Sequence, residues 1–174
     1  LAKRALIVGA AGAALVLAFQ QSIGFALANT VPQAALAVAP NHSAALGSMV
    51  QALGAQPNAR QNLPRIRALA IKAATRAPIF KSSWRKVGVT YAMEDKRVEA
   101  SRMFNRVAQE SLREDLAHAW VLGEAYTARN FAQVTREADI ILRHGDPGLR
   151  DNALRMANLL VQDGSAIPNL VERL

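Results

Sequence analysis

From Thr30 onward, apolar residues recur every three to four positions, and no stretch sustains an alternation of apolar and polar residues. That spacing puts the apolar side chains on one face of a 3.6-residue helix, so the pattern predicts a succession of amphipathic helices and no strands. Breaks fall at Ala39-Pro40-Asn41, Gln56-Pro57-Asn58, Ala77-Pro78, residues 111–115, Arg129-Asn130, Gly145-Asp146-Pro147 and Asp163-Gly164. The segments between them run to roughly 12–17 residues, an ordinary length for globular helices. Pro32 suits a first helical turn, with Asn29 or Thr30 available as its cap. Nothing resembles a βαβ unit. The expected fold class is all-α.

Upstream, residues 5–27 carry no charge and follow Lys3 and Arg4. As a helix rising about 1.5 Å per residue, the run reaches roughly 34 Å, enough to cross a hydrocarbon core. Gln20, Gln21 and Ser22 interrupt it and leave residues 5–19 as the strongest apolar stretch, the length of a signal-peptide core. Ala26-Leu27-Ala28 also offers a small-x-small cleavage pattern. A removed secretory signal and a retained anchor therefore compete. With the segment present in the molecule, a transmembrane anchor is expected over residues 1–28, a linker or short helix over 29–40, and a helical domain over 41–174. Lys3 and Arg4 would keep the N-terminus cytoplasmic and send the helical domain to the periplasmic side of an inner membrane. The chain opens on Leu, so a few upstream residues are expected as well. Gly9, Gly12 and Ala13 set small residues three and four apart on one face, which suits close packing of membrane helices, although Ala and Gly are frequent throughout the chain.

The most informative feature is an internal repeat. Trp84-x2-Val87-Gly88-x2-Tyr91 is followed by Ala100-x3-Phe104, and Leu122-Gly123-x2-Tyr126 returns about 34 residues later, offset by one. This resembles the tetratricopeptide (TPR) pattern W-x2-L-G-x2-Y…A-x3-F. A second helix with Phe131, Val134, Ala138 and Ile141 ends before Pro147, the shift of one residue being what brings Val134 and Ala138 onto the pattern. A degenerate earlier copy runs Leu46-Gly47-x2-Val50, then Ile66, Ala70 and Ala73, its turn enlarged by residues 56–62. The resemblance covers roughly residues 41–147. It implies an α-solenoid of antiparallel helix pairs, in which the glycine admits its partner helix and neighbouring pairs bury what one pair cannot. It also implies a concave groove lined by the first helix of each pair, here Ser82, Arg85, Val89 and Ala92, then Trp120, Glu124 and Thr127. Trp120 is either an exposed binding anchor or a filler between repeats. The groove lacks the Lys/Asn set with which TPR chaperone adaptors clamp a terminal carboxylate. Residues 148–174 continue as an amphipathic helix through Leu154, Ala157, Leu160 and Val161, then a short segment with Ile167, Leu170, Val171 and Leu174. Those apolar residues want cover from further chain or from a partner.

Charge adds a second axis. The net charge is +8 from 21 Lys+Arg and 13 Asp+Glu, yet no carboxylate precedes Glu94. Arg60, Arg65, Arg67, Lys72, Arg76, Lys81, Arg85 and Lys86 form a basic block, whereas residues beyond it are nearly neutral. A fold does not require such segregation. An acidic partner would explain it, as would a merely solvated face. Anionic lipid, an acidic protein face and an anionic polysaccharide are the candidates. Nucleic acid is not expected: no recognisable module is present, and Trp84, near Phe80 in the block, belongs to the repeat core.

Catalysis finds no support. Cysteine is absent, which excludes disulfides, thiolate zinc sites and cysteine nucleophiles. His42, His118 and His144 lie far apart without H-E-x-x-H, G-x-S-x-G, G-x-G-x-x-G or P-loop spacing around them. His118 reads as a helix-surface or inter-repeat residue and His144 as a helix C-terminal residue. Glu94-Asp95, Glu114-Asp115 and Glu137 with Asp139 read as helix-start or solvated charges. Asn41-His42-Ser43 fits a glycosylation acceptor, a pattern common by chance. The expectation is a non-catalytic scaffold without cofactor or metal, an accessory subunit binding other proteins of an envelope membrane complex. The alternative is an adaptor for anionic polysaccharide or lipid, since small anchored TPR proteins of this style occur in polysaccharide export systems.

Overall fold

The computed structural model describes residues 2–79 and 81–162, so Phe80 and the last segment with Ile167, Leu170, Val171 and Leu174 lie outside the described residues. Among the described residues every regular element is helical. In chain order these are α1 (Ala2–Ala28), α2 (Pro32–Val38), α3 (Ser43–Gly54), a single 3-10 turn (Ala59–Asn62), α4 (Leu63–Arg76), α5 (Lys81–Met93), α6 (Arg97–Glu110), α7 (Asp115–Thr127), α8 (Phe131–His144) and α9 (Pro147–Gln162). The chain divides into two compact units, Leu1–Lys86 and Val87–Leu174, with the boundary inside α5.

In the first unit α3 pairs with α4, and Leu46, Gly47, Val50, Ile66, Ala70 and Ala73 are buried as the degenerate copy requires. The enlarged turn between them holds the 3-10 turn. His42 caps α3, its Nδ1 accepting the Ala45 N–H at 3.3 Å. Pro32 opens α2 as expected, but neither Asn29 nor Thr30 caps it. Asn29 Oδ1 instead accepts from the Ser48 hydroxyl of α3, and the Thr30 hydroxyl donates back to the Leu27 carbonyl. Those bonds fasten the end of α1 to the unit. Ala28, Ala35 and Ala45 form one small core cluster of the unit, with Leu27 and Leu36 beside them. Gly24 is buried there too, and a methyl on it would meet Ala39 and His42 at 3.1 and 3.2 Å.

The transmembrane reading of residues 1–28 finds no support among the described residues. Among the described residues no helix is long and apolar enough to cross a membrane. Gln20, Gln21 and Ser22 interrupt the apolar run of α1, and towards its end Gly24 and Ala28 are buried while Phe25 and Ala26 stay exposed. A cut after Ala28 would remove part of this core, an argument against the cleaved-signal reading. Gly12 has open space around it and Ala13 is exposed, so neither meets a packing partner among the described residues.

In the second unit the repeat register becomes visible. α7 and α8 begin and end 34 residues after α5 and α6 at all four boundaries. The turns coincide as well: Asp95 has φ 58° and Arg129, 34 residues on, has φ 54°. In each turn the residue after the left-handed one donates to a carbonyl five back, Lys96 to Tyr91 at 3.0 Å and Asn130 to Ala125 at 2.9 Å. This Schellman closure satisfies helix carbonyls that would otherwise lack partners. In that register Leu122, not Gly123, stands where Gly88 stands, and His118 stands where Trp84 does. The one-residue offset of the sequence motif is therefore a mismatch. Gly88 faces the Phe104 ring, where an added methyl would lie 3.1 Å from two ring carbons. Gly123 has nothing within 4 Å, and Tyr126 is 39% exposed. α9 packs on α8 through Leu149, Ala153 and Met156, spaced i, i+4 and i+7, while Leu154 and Val161 are exposed. The helix carries two apolar registers about 100° apart, and contact with α8 selects the one the periodicity did not favour.

Gly123→Ala should therefore raise stability by about 0.5–1 kcal/mol, since alanine suits a helix interior better and meets nothing. Gly88→Ala should instead lose about 1 kcal/mol, because overpacking against a buried ring outweighs the same helix gain. Denaturant melts of the two variants check this, and equal shifts would contradict the register.

Candidate functional site

Two polar constellations stand out in the second unit. The first is buried. His118 and Glu137, each 1% exposed, meet at 2.6 Å between Nδ1 and Oε2, while His118 Nε2 lies 2.9 Å from the Ser111 carbonyl. The carbonyl can only accept, and an ionised carboxylate can only accept, so both ring nitrogens must carry protons. The ring is an imidazolium held between two acceptors. Arg136 completes the set, donating to Glu137 Oε1 at 2.6 Å. Burial disfavours charge on His118. The bonds to Glu137 and Ser111 and the nearby Glu137 and Asp115 carboxylates outweigh it and raise its pKa above the ordinary value. Burial likewise works against ionised Glu137, yet His118 and Arg136 hold its pKa below the usual carboxylate range. Of the two readings of His118, helix surface or inter-repeat, the surface one is overturned, as is the solvated Glu137. Their side chains point into the α7–α8 contact, where each supplies the other's counter-charge. With both nitrogens occupied and no solvent face, His118 has nothing left to offer a substrate. It fastens α7, α8 and the α6–α7 loop.

The second constellation is open. Trp120 stacks on Phe104 with centroids 4.9 Å apart at a 32° tilt, and its Nε1 donates to Ser101 Oγ at 3.0 Å. The Ser101 hydroxyl passes its proton toward Glu124 Oε2 at 3.2 Å, and Arg97 holds Glu124 Oε1 at 2.6 Å through Nη2. Trp120 is thus half-buried, filling the α6–α7 contact with one face while its other edge lines a cavity of about 540 Å³. Ala92, Gly123, Glu124 and Thr127 share that lining, with Asp95 and Arg97 at its rim. The Arg97–Glu124 pair is a ridge, because both residues also border a second depression along α6 of about 600 Å³.

Of the groove residues expected from the sequence, Trp120, Glu124 and Thr127 come together, and Ala92 joins them. Val89 is half-buried in the same unit and does not line this cavity, and Arg85 belongs to the first unit. Arg97, Ser101 and Asp95 were missed. They lie on the second helix and in the turn, and no spacing rule links them to Glu124, 23 to 29 residues away. The basic block also divides. Arg60, Arg65, Lys72 and Arg76 are exposed, whereas Arg67, Lys81, Arg85 and Lys86 are half-buried. Lys86 donates to the Gly47 carbonyl at 3.0 Å, and burial, then the neighbouring Arg85 charge, lowers its pKa below the ordinary lysine value.

No protein-family model matches the chain, and no curated protein or solved structure matches it at a significant level. The TPR likeness accordingly rests on the motif and on the 34-residue register.

The buried pair sets a pH window. A raised His118 pKa means stability that is complete below about pH 6.5 and is lost as pH rises through the folded value. A lowered Glu137 pKa means stability that is complete above about pH 4.5 and is lost as pH falls through the folded value. The pair therefore contributes fully between about pH 4.5 and 6.5. Thermal melts should show Tm falling from pH 6 towards pH 9, on the order of the pKa shift involved. Glu137→Gln should cost about 3–5 kcal/mol at pH 6 and flatten that decline, because a buried imidazolium without its carboxylate prefers to be neutral. An unchanged slope in the variant would show that another group titrates.

Proposed function

We propose that this chain is a non-catalytic, TPR-like scaffold, an accessory subunit that binds another protein of a membrane-associated complex. The observation that carries this reading is the open cavity on α7 and its neighbours, lined by the first-helix residues Ala92, Trp120, Glu124 and Thr127. A half-buried tryptophan held by Phe104 and Ser101 is a rigid anchor that gives up little side-chain entropy on binding. Beside it the alanine and glycine surface leaves room for a partner side chain. Glu124, with both oxygens already engaged, makes the rim polar without leaving a hungry charge. The membrane part of the reading rests on α1, whose Leu15, Val16, Leu17 and Phe19 are 59–72% exposed. This is attachment to a membrane through α1.

A second reading has its own support. The first unit contains no carboxylate at all, and its exposed Arg60, Arg65, Lys72 and Arg76 would suit an anionic polysaccharide or lipid. Salt separates the two, since screening weakens an exposed charge contact far more than an apolar groove contact.

Extraction in mild detergent followed by affinity capture should recover a stoichiometric protein partner. Gly123→Arg should lower that recovery about tenfold or more by filling the groove, a loss on the scale of one interface hot spot. Its site is open, so thermal stability should hold. Recovery of the chain alone, or of the same partner with the variant, would remove the scaffold reading.

A further inference from the structure

We propose that the first unit docks on an anionic bilayer leaflet, with α1 entering the acyl region and the α4 cations Arg65, Lys72 and Arg76 meeting lipid phosphates. This deepens the membrane part of the reading above and rests on it. Residues 12–19 of α1 are exposed on every side, and all of them are apolar. A helix apolar all round needs cover all round, which a single docking groove does not supply and lipid does. At about 1.5 Å per residue those eight residues reach roughly 12 Å, close to the depth of one leaflet. Gln20, Gln21 and Ser22 follow at the level where headgroups begin. The Ser22 hydroxyl donates to the Ala18 carbonyl at 2.9 Å and so brings no bare donor toward the apolar layer.

The same unit puts cations beside that level. Arg65, Lys72 and Arg76 are spaced i, i+7 and i+11, which places them on one face of α4, and all three are exposed. Lys72 Nζ donates to the Pro40 carbonyl at 3.1 Å. The loop that holds Pro40 also receives α1, since Gly24 packs on Ala39 and Phe25 meets the His42 ring edge-on at 6.3 Å. Phe25 is itself 72% exposed. One loop thus joins the greasy helix to the cationic stripe. No Asp or Glu exists in the unit to neutralise that stripe. A neutral membrane would leave those charges unanswered; an anionic one answers them, at a gain that multiplies with each cation near the surface.

The test is flotation of the full chain with phosphatidylcholine vesicles, with and without phosphatidylglycerol, at low and high salt. The native chain should partition onto both, about 100-fold more strongly onto the anionic ones at low salt, as three interfacial cations predict. The Arg65→Gln, Lys72→Gln, Arg76→Gln triple variant should lose that excess and keep its neutral-vesicle partition and its melting temperature. Equal partition of the native chain onto both vesicles would overturn the headgroup proposal and leave attachment through α1 standing. No partition onto either would overturn attachment itself and the proposal with it. Tighter, salt-sensitive binding to dextran sulfate than to anionic vesicles, abolished in the triple variant, would overturn the lipid assignment in favour of a polysaccharide. In the Leu15→Ser, Leu17→Ser, Phe19→Ser variant both partitions should fall together, and retention of both would exclude insertion.

Discussion

Helix pairs in this protein meet across faces of alanine, and that close approach conditions the rest of the structure. Ala35, Ala45, Ala70, Ala73, Ala100, Ala117 and Ala153 have no exposed surface. Small side chains let helix axes approach to the short end of the usual range, about 8 Å. The same smallness limits what burial contributes, roughly 0.8 kcal/mol for a methyl against 1.5–3 for a leucine or phenylalanine. A single hairpin of this composition has too little apolar area to stand alone. The larger buried groups, among them Leu46, Leu63 and Ile66 in the first unit and Phe104, Leu122 and Ile141 in the second, bear a disproportionate share of the packing.

Alanine faces also slide easily, since they interdigitate weakly, and the second unit has polar devices that remove this freedom. The left-handed residues Asp95 and Arg129 close two hairpin turns of the same geometry. The Asn130 side chain caps α8 by accepting the Gln133 N–H at 3.2 Å. Between α7 and α8 the imidazolium–carboxylate pair of His118 and Glu137 has a short bond whose geometry tolerates little displacement. At the groove, the chain from Trp120 through Ser101 and Glu124 to Arg97 does the same for the α6–α7 contact, with a tryptophan ring as its end point. The positional order that a binding surface needs comes from these polar links laid over a weakly specified apolar core.

The two units differ in electrostatic character. All acidic residues lie in the second, where ion pairs such as Arg143–Asp139 and Arg106–Glu110 sit on helix surfaces at i, i+4 spacing. Exposed pairs of that kind contribute little to stability but keep the surface nearly neutral. The first unit has no such compensation. Its exposed cations Arg60, Arg65, Lys72 and Arg76 lie on α4 and the turn before it.

Much of this was legible from residue order alone. Periodicity of three to four, with Pro, Gly and Asn at the breaks, marks helices because both signals are local: they depend on a residue and its neighbours within two turns. The turn at Asp95 escaped notice, since an aspartate taking φ 58° announces nothing in sequence. The charge segregation and the absence of carboxylates before Glu94 were likewise complete in the sequence. Three matters needed the tertiary structure. The 34-residue register was hidden because Gly123-x2-Tyr126 imitates the first helix's motif one residue out, and only packing distinguishes a glycine against a ring from one facing open space. His118 found its partner 19 residues away on another helix, a distance no spacing rule covers. The exposed cations of α4 separated from the half-buried ones of α5 because burial belongs to neighbours, and neighbours across helices are assigned by folding, not by the order of residues along the chain.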